Sequence, residues 1–130
     1  MRSRQDDVGH AASVERALRL GLVGMGEATD EGAERRLERL AAAPVGAFVW
    51  TRHPDGRTFV GRIDGPWRED PGGAEVDLVH VREATWAEVD PALVPAAVEQ
   101  TFARGGRNFQ QIHPGDVEAA TARVWQRLSA

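Results

Sequence analysis

The sequence predicts an α+β domain, a small twisted β-barrel of about five short strands flanked by N- and C-terminal helices. Three observations carry this reading. Apolar residues follow helical spacing at both ends of the chain and alternate in its middle. The alternating runs are short and punctuated by Gly/Pro turns. The chain has 130 residues, 42% of them hydrophobic and 28% charged, enough for one core that buries roughly two thirds of the unfolded surface. Residues 1–10 read as a disordered lead, and 11–130 as a single domain.

The first helix is expected from Ser13, an N-cap candidate, with Val14, Ala17 and Leu18 as its apolar stripe. Gly21 offers its C-cap. Leu22 to Gly26 then reads as a short buried strand or tight turn, and the glycines around Met25 imply close backbone approach. Asp30-Glu31-Gly32 caps a second helix over Ala33–Ala42, with Leu37 and Leu40 inward and Pro44 beyond its end.

From Ala47 the period changes to two. Ala47–Thr51 is a strand, His53-Pro54-Asp55-Gly56 a hairpin turn, and Arg57–Ile63 the returning strand. Phe59 and Gly61 share one of its faces and Val60 takes the other. Asp64-Gly65-Pro66 is expected to break it, Ala74–Val81 to alternate as a further strand, and Thr85–Val89 to form the last. Helical spacing returns over Leu93–Phe102. Asn108–Ile112 reads as extended, and a final helix starts at Pro114-Gly115-Asp116 and runs to about Leu128.

Composition excludes several chemistries. Cysteine is absent, which removes disulfides, thiol nucleophiles and thiolate metal sites. All 16 basic residues are arginine, so there is no lysine for a Schiff base, a phosphate loop or a lysine-dependent nuclease centre. GC-rich coding accounts for that usage. A formal net charge of −4 argues against a broad electrostatic grip on nucleic acid, although a local arginine face suits bidentate contacts. The polar N-terminus lacks the apolar stretch of a signal peptide and no segment reaches the length of a membrane span, so a cytoplasmic protein is expected.

Catalytic constellations are poorly supported. His53, His80 and His113 lack metal-ligand spacing and read as turn or surface histidines. Asp6-Asp7, Asp30-Glu31 and Glu69-Asp70 fall where capping and solvation explain them. Gly24-Met25-Gly26 is too short for a dinucleotide fingerprint. No cofactor is expected, and no catalytic residue.

The aromatic set is more informative: four tryptophans, four phenylalanines and no tyrosine. Trp86 and Trp125 read as core. Trp50 and Trp67 lie beside turns, each with an arginine within two residues (Arg52, Arg68). An aromatic wall beside a guanidinium suits a planar polar ligand such as a base; both tryptophans capping the core is the competing reading. Arg104-Gly105-Gly106-Arg107-Asn108-Phe109 is open to two readings as well, a phosphate or base-edge contact or a glycine C-cap with arginines at the dipole's negative end.

The run Gly61-Arg62-Ile63-Asp64-Gly65-Pro66-Trp67-Arg68, followed by His80-Val81-Arg82 and Thr85-Trp86, resembles the small PUA-like, EVE-type domains found N-terminal to Mrr-type restriction nuclease domains. Leu20 to Gly26 resembles an earlier segment of that family, so the resemblance spans roughly residues 14–112. It implies a barrel whose cavity holds one flipped, often modified base, read without chemistry and in a restriction or defence setting. Two positions depart from the pattern: Glu27 stands where the family has tryptophan, and Gly46-Ala47 where it has Gly-Asp.

The resulting expectation is a non-catalytic module recognising a modified nucleobase or similar planar ligand. Trp50 and Trp67 stack, Glu27 and Asn108 read polar edges, and Arg68 and Arg107 hold phosphate. The partners expected are nucleic acid carrying a modified base or a protein that brings the catalytic activity, and no membrane. The alternative is an accessory subunit on the same fold, with a degenerate pocket and a protein-binding face. A small hydrolase or isomerase built on paired carboxylates ranks last.

Overall fold

Four strands pair in the order β1-β4-β3-β2, all antiparallel, in a sheet curled into a half-barrel. The computed structural model describes residues 4–26, 29–76, 78–104 and 115–129. Along the chain come α1 (Arg4–Leu20), β1 (Leu22–Met25), α2 (Glu31–Ala42), β2 (Phe48–Arg52), β3 (Thr58–Glu69), a 3₁₀ turn (Pro71–Val76), β4 (His80–Val89), a second 3₁₀ turn (Pro91–Leu93), α3 (Ala96–Ala103) and α4 (Gly115–Ser129). Helices and strands alternate in period as the sequence predicts; the strand count does not follow.

Four strands replace the expected five because the last two expected strands, Ala74–Val81 and Thr85–Val89, merge into one. Thr85–Val89 is not a separate strand but the second half of β4. Residues 74–76, the start of the expected strand Ala74–Val81, wind instead into the 3₁₀ turn. The Pro71-Gly72-Gly73 signal propagates through backbone bonds from Gly73 N to Asp70 O and Leu78 N to Gly73 O, both 3.0 Å.

Asp64-Gly65-Pro66 does not break β3 either. Ile63 pairs with Ala84 and Trp67 with Arg82, so three residues of β3, Asp64 to Pro66, face the single Glu83 of β4 in a bulge. Proline is tolerated there because β2 ends its pairing at Arg62 and leaves the far edge of β3 without a ladder partner that needs an N–H.

The helices differ from expectation only at their starts. α1 begins at Arg4, ahead of the predicted cap, and Ser13 lies within it, where its hydroxyl donates to the Val76 carbonyl and ties the helix to the 3₁₀ turn. Gly21 follows α1 at φ +68°, the left-handed geometry a C-capping glycine supplies. Asp30 caps α2, its Oδ1 accepting from Ala33 N at 2.7 Å. Pro95 delays α3 to Ala96. The predicted extended segment Asn108–Ile112 lies outside the described residues.

Strand pleating sorts the core onto two faces. Val23 of β1, Val49 of β2 and Ile63 of β3 pack with Leu40 and Ala43 at the end of α2, joined by Met25, Trp67 and Trp86. The opposite face packs Trp50, Val60 and Val89 against Val98 of α3 and Val117, Trp125 and Leu128 of α4. Ala17 of α1 packs with Leu22, Leu78 and Val81, and register places Leu22 and Val81 on that second face too. The sheet is therefore covered by α2 on one side and by α1, α3 and α4 on the other.

Candidate functional site

Trp50 and Trp67, expected to wall one pocket, sit on opposite faces of the sheet. Trp50 pairs with Val60 and that residue with Ala87, whereas Trp67 pairs with Arg82. Positions 82 and 87 of β4 differ by an odd number, so the period of two sends the two indoles apart. Trp50 is 1% exposed, and its Nε1–H donates to Thr121 Oγ1 of α4 at 3.2 Å. The core reading holds for Trp50, with its polar handle spent on a neighbouring helix.

Trp67 is different. It is half-buried against the α2 face. Its ring stacks on His80 with centroids 5.3 Å apart and planes 11° from parallel. His80, expected at a turn or on the surface, is instead 9% exposed at the first position of β4. Register explains the meeting: Glu69 faces His80 and Trp67 faces Arg82, so the indole and imidazole are diagonal neighbours on one face. Met25 pairs with His80 from the other side and completes an apolar and aromatic row at this end of the sheet. Close packing at this row depends on Gly24, where a Cβ would lie 2.2 Å from the His80 carbonyl oxygen.

Arg68, expected to hold phosphate beside Trp67, pairs with Val81 and is exposed on the other face. It diverges from the indole for the same parity reason. Glu27, Arg107 and Asn108 lie outside the described residues.

Arg82 was not among the expected site residues, yet it is the deepest charge near Trp67, 5% exposed. Its Nε donates to the Gly65 carbonyl at 3.0 Å. Its Nη1 donates to the carbonyls of Leu40, at 3.1 Å, and Ala43. It thus fastens the last turn of α2 to the β3 bulge, and the negative end of the helix dipole favours a cation there. The sequence signal was the alternation of His80-Val81-Arg82, which puts both polar residues on one face.

The remaining ionic contacts join elements on the periphery. Arg16 of α1 bonds Asp70 at 3.0 Å; this hydrogen bond holds the Asp70 carboxyl below the ordinary carboxylate value, against the opposing effect of desolvation. Arg52 bonds Glu99 of α3 at 2.8 Å and lies 4.8 Å from the centre of the Phe102 ring. In the hairpin, His53 Nε2 meets Glu15 at 3.0 Å. The Arg57 backbone N–H, more than any other contact, lowers the Asp55 carboxyl. Among the described residues no group of three or more His, Asp or Glu side chains could hold a metal ion, and no helix is long and apolar enough to cross a membrane.

No protein-family model, curated protein or solved structure matches the chain.

Proposed function

We propose that this domain is a non-catalytic binding module that takes a planar, polar ligand, a nucleobase or a modified base being the first candidate, against Trp67. The observation that carries this reading is the Trp67–His80 stack. A half-buried indole lies nearly parallel to an imidazole stacked on it at the end of the sheet. Packing has already oriented both rings, so a third flat group extends an ordered stack with little further side-chain entropy to lose. Trp50 has no part in it. The PUA/EVE resemblance agrees in kind, since its motif residues Trp67, His80 and Arg82 converge on one face.

Tryptophan fluorescence tests the reading, with single-stranded and duplex oligonucleotides carrying plain and modified bases titrated at two salt concentrations. Saturable quenching that depends on the modification and vanishes in Trp67→Ala is the expected result. Absence of quenching by every oligonucleotide at low salt overturns base reading and makes an accessory, protein-binding role the better account.

A further inference from the structure

Arginine carries five N–H donors in one rigid plane, and Arg82 spends three of them. Nε bonds Gly65, and Nη1 bonds Leu40 and Ala43. All three acceptors are neutral carbonyls. No described carboxylate pairs with the guanidinium. Among the described residues the two N–H groups of Nη2 have no partner, although Nη2 is not sealed from solvent. Planarity fixes where they lie. With Nε held by the β3 bulge and Nη1 by the end of α2, Nη2 sits between these two anchors.

The charge balance matters as much as the spare donors. The carbonyl end of a helix supplies roughly half a negative charge, so a full positive charge at 5% exposure stays only partly compensated. Burial makes such a charge costly until an anion joins it. We propose that Arg82 Nη2 is a binding point for a small oxyanion group, a carboxylate or phosphate oxygen, between the Gly65 bulge and the C-terminus of α2. The site is pre-organised because the same residue fastens the helix to the sheet, which holds the fork still. It uses the Arg82 guanidinium and not the ring surface of Trp67, the residue opposite Arg82 in the ladder, so the two can fail separately.

Side-chain ¹⁵N NMR of the intact protein reads the site directly. The Arg82 Nε–Hε resonance is assigned through bonds in the wild type, so no variant has to fold. Sodium phosphate and sodium acetate are titrated in turn, against sodium chloride at matched ionic strength. A saturable shift of the Arg82 resonance with one or both oxyanions, absent with chloride, is expected, and whichever saturates identifies the group. In Trp67→Ala the same shift persists, even if that variant has lost all quenching by bases. A resonance that neither oxyanion moves, or that drifts equally with chloride, overturns the proposal. Wild type is expected to gain melting temperature with the oxyanion that saturates, and Arg82→Lys, where it folds, to lose that gain.

Discussion

The two faces of the sheet use the same kind of residue in opposite ways. On one, Trp50 is enclosed by α3 and α4, with its single polar atom bonded to Thr121. On the other, Trp67 keeps part of its surface in water, with its ring stacked on His80 and Arg82 opposite it in the ladder. The first face is covered by α1, α3 and α4; α2 alone covers the second. Where helices run out, an aromatic side chain on a pleated strand stays half-exposed, and only there is its ring surface open to a ligand.

Three measurements sharpen or break this contrast. The largest expected effect is Trp50→Ala, which removes a fully buried indole and is expected to cost about 3–5 kcal/mol in chemical denaturation. Trp67→Ala is expected to cost less than half of that. Equal losses would mean that both faces are simply core. Next, Thr121→Val leaves the Trp50 N–H buried without an acceptor, with an expected cost of about 1–3 kcal/mol. A neutral result would place the indole nearer to water than the contact implies.

The smallest effect concerns pH. The Asp70 carboxyl is lowered by Arg16, so the folded state binds that proton less readily than the unfolded chain. Its contribution is therefore present above the ordinary carboxylate value and lost as pH falls through the lower, folded one. Asp70→Asn should flatten acid unfolding in that window and change stability at low pH little. Acid titrations of the two proteins followed by circular dichroism check this, and parallel curves would show that the Arg16 contact is screened.

Much of the fold was legible because its signals are local. The Asp30 cap, the Gly21 stop, the His53–Gly56 hairpin and the facing of Phe59 and Gly61 away from Val60 are all set by residues within one turn or one pleat. The strand count failed where local punctuation met a long-range partner. Gly65 and Pro66 look like a break, yet Arg82 takes the Gly65 carbonyl and β4 carries the strand past them. The site was only partly legible. Trp67 was singled out by its turn and its neighbouring arginine, but strand parity turned that arginine, Arg68, to the other face. Arg82 went unselected because burial of a charge depends on acceptors from α2 and the bulge, far away in sequence.

The order β1-β4-β3-β2 also has a kinetic consequence. β2, β3 and β4 form a meander in which each strand pairs with the next, whereas β1 pairs with β4 across α2 and the whole meander. Closing that last ladder costs the most loop entropy. Refolding is thus expected to protect the amides of Val60 and Ala87 before those of Val23 and Gly24, a sequence that pulsed hydrogen exchange resolves. The edge carrying Met25 beside His80 would then assemble last, so the row flanking Trp67 is completed only at the final step of folding.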